Sequence, residues 1–522
     1  MKIQWVAGVV ALYLAGFAIC VAAEEDSACG ALAAFDFREA VGATVDLREI
    51  GIAGLERDLP EYCQVVGNIA PEVGFELRMP TEDLNGKLLV SGCGGLCGVL
   101  MTAGMEDALI RGYATVTTDM GHSDEVYPDT RWAYRNKALE IDFSHRATHV
   151  TTLAGKAIIR AYYGASPVHS YFRGCSTGGR QALVAAQRYP RDFDGIIAGA
   201  PFNQAYSIPH FFWAVESNTD EAGNPILAGP QFNLLHGGAL SACDADDGLV
   251  DAIISDPEIC SFDPEVLRCE ANDVTDCLTA VQVEAAEKIY QGARNSRGEP
   301  LYPSGPAPGS EFTWKDQLVG KNGQASFFYS VAQNWLQYLA YEPDPPFGSG
   351  PFVFDYDEGP ELISYSVELI GFVPQLARFN ARGGKLLMFH GWVDQSFPGS
   401  HTIDYWQQAV SAIGDSDQLE DFFRLFMVPG MTHCGGGPGA SDIDYLTALE
   451  QWVEIDEPPD VLLAHKRADS VISFARQPRF PLDEEEIVFS RPVYPYPDVS
   501  HYAGEGNPAA AESFVRVKRD PQ

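Results

Sequence analysis

The residues best suited to chemistry in this chain are three that lie far apart in the sequence: Ser176, Asp394 and His433. Ser176 lies in Gly174-x-Ser176-x-Gly178, a pattern that sets a serine on a tight, strained turn between a strand and a helix and needs small residues on both sides. A serine hydroxyl is a weak nucleophile until a base takes its proton. His433, in Met431-Thr432-His433-Cys434, can be that base as a neutral imidazole and can then protonate a leaving alcohol. Asp394, in His390-Gly391-Trp392-Val393-Asp394, can fix the imidazole tautomer and stabilise the imidazolium. The alternative for the serine motif alone is a glycine-rich turn carrying a surface serine. His122 and His390 are expected to be structural or substrate-facing.

Two loops would complete such a site. Lys87–Val90 reads as a buried strand running into Ser91-Gly92-Cys93-Gly94-Gly95-Leu96-Cys97-Gly98. Glycines let a backbone approach a ligand closely, so the N–H of Gly94 or Gly95, together with that of Thr177, could hold a developing oxyanion; the alternative is a plain tight turn. Cys175 directly precedes the serine and Cys434 directly follows the histidine. A Cys175–Cys434 bridge would set nucleophile beside base, because each is the chain neighbour of a bonded sulfur.

A second constellation is Cys243-Asp244-Ala245-Asp246-Asp247-Gly248-Leu249-Val250-Asp251-Ala252-Ile253, closed by Cys260. Asp244, Asp247 and Asp251, mixed with main-chain carbonyls, are hard oxygen ligands that suit Ca²⁺ rather than Zn²⁺. The spacing is not that of an EF-hand. A solvated acidic loop is the alternative reading; the flanking cysteines favour an ordered one.

The elements that must position these residues follow from periodicity. Short alternating runs between Leu32 and Pro80 read as N-terminal strands. Tyr113–Thr118, Val168–Arg173, Asp194–Pro201, Lys385–Phe389 and Phe422–Val428 read as further strands, and Phe143–Tyr162 and Thr177–Arg188 as helices. This alternation predicts an α/β fold with a parallel sheet covered on both faces. The order Ser176, Asp394, His433, each at a strand's C-terminal end, is the α/β-hydrolase order. Residues 24–203 and 381–522 are assigned to that catalytic domain. Residues 204–380, rich in Pro, Gly, aromatics and acids, are assigned to a large inserted lid carrying the acidic loop.

At 522 residues the chain can bury a large core. Its formal net charge of −37 argues against nucleic acid or an anionic membrane as partner. Met1–Ala23 reads as a secretory signal, with Lys2 ahead of an apolar Val6–Val21 and a small-residue cleavage site; a membrane anchor or a lipoprotein site at Cys20 fits less well. Secretion or residence in a periplasm is therefore expected, in line with cysteine usage. Of 11 cysteines, Cys20 leaves with the leader, and the remainder are expected to pair. Spacing suggests Cys29–Cys63, Cys93–Cys97, Cys175–Cys434, Cys243–Cys260 and Cys269–Cys277. The oligomeric state is not readable.

The motifs Gly174-Cys-Ser-Thr-Gly-Gly-Arg180, His390-Gly-Trp-Val-Asp-Gln395 and His433-Cys434 resemble those of the tannase/feruloyl esterase family. The resemblance extends through Asp119-Met-Gly-His122, Asp194-Gly-Ile-Ile197 and Cys243-Asp-x-x-Asp-Gly248. It implies an α/β-hydrolase core, a lid over the site and a structural Ca²⁺ in the lid, held by Asp244, Asp247 and Asp251 with the carbonyls of Leu249 and Ile253. It also implies a bridge between the cysteines flanking the serine and the histidine. One departure is that Val493 and Val515 stand where relatives often carry another cysteine pair. The expected function is that of a secreted serine carboxylesterase acting on small-molecule esters of aromatic acids. Feruloyl (hydroxycinnamoyl) esters come first; tannase and mono(2-hydroxyethyl) terephthalate hydrolase are alternatives, and a catalytically dead, calcium-stabilised binding protein is the remote one. Lid aromatics Phe211, Phe212, Trp213, Phe327, Phe328, Tyr329, Trp335 and Tyr338 are the expected source of an apolar site or of lid core.

Overall fold

The computed structural model describes residues 28–55, 58–123, 129–270, 276–321, 323–362, 364–468 and 478–519. The expected leader, Met1–Ala23, lies outside the described residues. Nine strands form the main sheet: β1 Val45–Ala53, β2 Tyr62–Ile69, β3 Val73–Pro80, β4 Lys87–Ser91, β5 Ala114–Thr118, β6 His169–Cys175, β7 Gly195–Gly199, β8 Lys385–Gly391 and β9 Phe423–Val428. Their spatial order is β1-β2-β3-β5-β4-β6-β7-β8-β9. From β5 to β9 all neighbours are parallel. The sheet is nevertheless mixed, because β1, β2, β3 and β5 pair antiparallel. β1, β2 and β3 are consecutive and joined by short connections, which cannot make the crossover a parallel pair requires, and β3 then pairs with β5 rather than with the next strand in the chain, β4.

Strands β4, β5, β7, β8 and β9 are almost continuously buried, as expected where helices cover both faces. The Thr177–Arg188 helix packs against β6 and β7. The expected helix from Phe143 begins instead with a π-turn over Asp142–Arg146, and the regular helix is Ala147–Tyr163. A π-turn displaces the usual carbonyl pairing. Here the carbonyls of Phe143 and Ser144 accept from the guanidinium of fully buried Arg180, at 2.9 Å each. The segment thereby anchors the helix that starts at the serine.

The described residues of 204–380 supply helices, among them Gln204–Ser217, Gly229–Cys243, Ala280–Gln291 and Phe327–Tyr338, and no strand of the main sheet. Their buried side chains, including Phe211, Trp335 and Phe328, belong to the same continuous apolar cluster as Phe172 and Met388 of the sheet. Insertion and core are thus welded by one hydrophobic interior. Two small sheets, Leu462–Arg467 with Ile487–Val493 and Val499–Tyr502 with Phe514–Val517, follow at the C-terminal end. All five expected disulfides are present.

Candidate active site

Chain order around β4 creates the crevice. β4 leads to β5 on one side, and the chain then crosses back to β6 on the other. The C-terminal ends of β4 and β6 therefore diverge at the point where such sheets bind ligands. One end carries the 93–97 loop, the other Ser176.

Ser176 has φ 64° and ψ −121°, a backbone conformation costly for a residue with a Cβ. It is held by its N–H to Gly199 O at 2.9 Å, and its carbonyl accepts from Phe202 N–H at 3.0 Å. The flanking glycines are required by space. A Cβ on Gly174 would meet Gly178 backbone at 2.6 Å, and one on Gly178 would meet Cys93 O at 2.9 Å. The turn can only be this tight with hydrogen at both positions.

Asp394 and His433 are buried and meet through His433 Nδ1 and Asp394 Oδ2, 2.6 Å apart. The other carboxylate oxygen, Oδ1, accepts from the N–H groups of Ser396 (2.7 Å) and Phe397 (3.0 Å). His390 Nε2 lies 3.1 Å from the same Oδ2 and 2.9 Å from Phe397 O, with Nδ1 2.7 Å from Thr402 Oγ1. Burial by itself would raise the pKa of Asp394; His433 and His390 outweigh it and hold the carboxylate well below its ordinary range. His433 is fixed further by its N–H to Gln395 Oε1 at 3.0 Å and by Phe397, whose ring stands edge-on at 4.9 Å. An imidazole gripped through Nδ1 presents Nε2 as a base. The Cys175–Cys434 bridge ties the chain neighbours of Ser176 and His433 together, and both residues line one cavity of about 280 Å³.

The remaining walls of that cavity are Gly94, Gly95, Leu96, Met101, Thr177, Phe202, Phe211, Phe327, Val331, Ser396 and Phe397. Among the described residues no lysine, arginine or carboxylate lines it. Of the aromatics singled out from sequence, Phe211 and Phe327 reach the cavity, whereas Phe212, Phe328 and Trp335 are core. Sequence reasoning missed Phe202, Ser396 and Phe397. Their signal was position: each lies two or three residues beyond a strand end or a candidate acid. His122 and His390 do not line the cavity; His122 Nε2 instead contacts Leu96 O at 2.8 Å.

Of the two glycines expected to offer an oxyanion donor, Gly94 N–H is directed at Met101 Sδ, 3.0 Å away. Gly95, at φ 59°, donates its N–H to no protein acceptor among the described residues. Thr177 N–H is the first of its helix and so has no intrahelical partner; its hydroxyl donates to Gly95 O.

The acidic loop is ordered around Asp244, whose carboxylate accepts from the N–H groups of Asp251, Ala252 and Ile253 at 3.1–3.2 Å. Asp247 accepts from Leu249 N–H and Ser255 Oγ. Asp251 Oδ2 pairs with Arg491 at 2.8 Å, while its Oδ1 is buried with no hydrogen-bond partner. The carbonyls of Leu249 and Ile253 accept no hydrogen bond among the described residues. Among those residues no three Asp, Glu, His or Cys side chains converge into a metal cluster by themselves. A hard cation fits here if it draws on these carbonyls as well as on the orphaned Oδ1.

The profile of the family described as "Tannase and feruloyl esterase" matches residues 57–517. The mono(2-hydroxyethyl) terephthalate hydrolase of Piscinibacter sakaiensis is 32% identical over 530 residues, covering 88% of this chain and 85% of its own. A probable feruloyl esterase B-2 of Aspergillus flavus is 32% identical over 420 residues, 76% of this chain and 78% of its own. The crystal structure of feruloyl esterase B from Aspergillus oryzae superposes with a TM-score of 0.77 at 25% identity, covering 91% and 97% of the two chains.

Proposed function

The chain belongs to the tannase and feruloyl esterase family of carboxylic ester hydrolases, and on that premise we propose that it cleaves uncharged aromatic acyl esters, feruloyl (hydroxycinnamoyl) esters first, through Ser176, His433 and Asp394. The observation that carries this reading is the cavity shared by Ser176 and His433. Among the described residues its walls are mostly apolar and aromatic and include no lysine, arginine or carboxylate. A planar acyl group is accommodated by Phe202, Phe211, Phe327 and Phe397. A free carboxylate, as in a terephthalate monoester, would meet no counter-charge, and the hydroxyls of a galloyl group would meet few polar partners.

In this mechanism Ser176 Oγ attacks the ester carbonyl as His433 Nε2 takes its proton. Gly95 and Thr177 donate N–H groups to the oxyanion; Gly95 is assigned over Gly94 because the N–H of Gly94 is directed at Met101. His433 then protonates the leaving alcohol. Water, activated by the same imidazole, releases the acid from the acyl-enzyme.

Ca²⁺ would be held by Asp244, Asp247 and Asp251 with the carbonyls of Leu249 and Ile253, and would supply rigidity, since none of these residues lines the cavity. Five disulfides support a location outside the cytoplasm. Removal of a leader would start the mature chain at Glu24, which N-terminal sequencing would reveal.

The test compares kcat/KM for methyl ferulate, methyl gallate, a terephthalate monoester and a short acyl ester. Ferulate should lead. Activity confined to short acyl esters would discard the aromatic reading. Ser176→Ala should lower turnover by about 10⁴-fold or more while the protein stays folded, and a serine-directed phosphonate should label wild type at Ser176 only. An unlabelled, inactive wild type would favour the dead binding protein.

A further inference from the structure

We propose that the Cys93–Cys97 disulfide is a positioning device for the reaction, a clasp that holds Gly95 N–H where the oxyanion forms. The inference rests on the serine-esterase reading above, and its test is separable from that one.

The bridge encloses only Gly94, Gly95 and Leu96; all three line the cavity, and the two glycines are the candidate oxyanion donors. A pair of adjacent glycines is the most conformationally free stretch a backbone can have, whereas a donor aimed at a transition state must be fixed before the reaction. The sequence resolves that conflict with a covalent closure. Cys97 has φ 63°, Gly95 59° and Gly98 82°. Left-handed backbone is ordinary for the glycines but unfavourable for Cys97, which is kept there by its bond to Cys93 and by its N–H to Gly94 O at 3.0 Å.

The loop is then pinned to the catalytic core from several sides. Cys93 N–H donates to Gln181 Oε1 at 3.0 Å, and Gln181 lies on the helix that begins after Ser176. Gly98 N–H donates to Asp119 O at 3.0 Å, Leu96 O meets His122 Nε2 at 2.8 Å, and Gly95 O accepts from Thr177 Oγ1. Every one of these contacts fixes the loop to a neighbour. Its internal shape is fixed by the bridge together with the single Cys97 N–H to Gly94 O hydrogen bond.

Its contribution to global stability should be the smallest of the five. A closure spanning 4 residues restricts the unfolded chain far less than those spanning 34 or 259. A bond of small global effect, placed around the oxyanion donor, has its consequence in the rate.

The experiment compares wild type with two bridge-free variants, Cys93→Ser/Cys97→Ser and Cys93→Ser/Cys97→Gly. The second accommodates the left-handed φ at position 97 without a bridge and so guards against misfolding. Cys269→Ser/Cys277→Ser, which removes a short bridge elsewhere, is the control. Measured for each are kcat, KM, the Kd of the product acid and inhibition by a trifluoromethyl ketone analogue of the substrate, whose carbonyl adds Ser176 Oγ to give a hemiketal oxyanion that mimics the tetrahedral intermediate. Both bridge-free variants should lose about 10- to 100-fold in kcat, the range of a donor misplaced rather than removed. KM and product affinity should stay within about twofold, the ketone should weaken by the same factor as kcat/KM, and the control should match wild type. The proposal is overturned if either folded variant keeps kcat within about twofold of wild type, or if product affinity falls as far as kcat. In either case wild type still labels with phosphonate, and the esterase reading stands.

Discussion

Cys175 is bonded to Cys434 across 259 residues of sequence, with their Cα atoms 5.9 Å apart. The bonded sulfurs are the immediate chain neighbours of Ser176 and His433, so one covalent link joins the end of β6 to the loop after β9. Main-sheet neighbours β7 and β8 separate those two strands.

Removing that bridge as Cys175→Ala/Cys434→Ala should harm function before fold. The chain-entropy account gives a stabilisation of about 5 kcal/mol for so long a closure, with engineered cases often delivering less. Turnover should fall about 100-fold or more at temperatures where circular dichroism reports a folded protein, because an error of about 1 Å in a catalytic contact has that effect. Full activity of the folded double variant, or a free Cys175 thiol in active enzyme, would refute the role.

Asp394 is gripped by two histidines and two backbone N–H groups. Asp394→Asn preserves the shape but loses the charge and the tautomer preference at His433, so kcat should fall about 10⁴-fold with little change in KM. His390→Gln removes a neighbour of Asp394 that never reaches the cavity. Its effect should be smaller, about tenfold, and again confined to kcat. A His390→Gln variant altered mainly in KM would show that His390 acts on substrate after all.

His210 lies buried against Tyr302, Phe211 and Phe328. Burial lowers its pKa to about 3, with a weak opposing pull from Asp394. The unfolded chain binds a proton there near pH 6.5 and the folded one does not. The stability associated with neutral His210 is thus fully present above about pH 6.5 and is lost as pH falls toward the folded value. Within that window the slope is about 1.4 kcal/mol per pH unit. His210→Phe should gain on wild type by that slope between about pH 6 and pH 4 in urea unfolding. Parallel stability curves for the two proteins would show that His210 titrates normally in the fold.

Chelation should lower thermal stability if Ca²⁺ occupies the Asp244–Ile253 loop. A ligand at a hundredfold excess over Kd stabilises by about 2.7 kcal/mol. Asp247→Ala should abolish the sensitivity, and metal analysis of purified protein should return about one calcium per chain. The loop packs against the C-terminal segment, through Arg491 on Asp251 and His501 close to Gly248. Chelation should therefore also expose the C-terminal strands to protease. An unchanged melting curve together with no bound calcium would leave a solvated acidic loop.

The sequence by itself pointed to the strands of the parallel part of the sheet and to Ser176, Asp394 and His433 as the candidate trio. The elbow was legible because only glycine fits at 174 and 178, and the strands because burial on both faces enforces continuous apolar runs. Cysteine spacing suggested four of the five bridges, which close loops of 34 residues or fewer, and the fifth was suggested by its place beside Ser176 and His433; the structure holds all five. Tertiary structure alone decided the rest. The antiparallel edge of the sheet depends on which strands pair, which alternation within a strand does not encode. The π-turn at Asp142 depends on Arg180, 38 residues on, needing the carbonyls it frees. Gly94 and Gly95, identical neighbours in the sequence, are told apart by Met101 Sδ lying 3.0 Å from the N–H of Gly94. His390 looked like any buried histidine until the turn after β8 brought Asp394 back onto it. The cavity wall gathers Leu96, Phe202, Val331 and Phe397 from four distant segments. Such a wall exists only once the insertion and the sheet share a core, because proximity across hundreds of residues is a property of packing and not of local pattern.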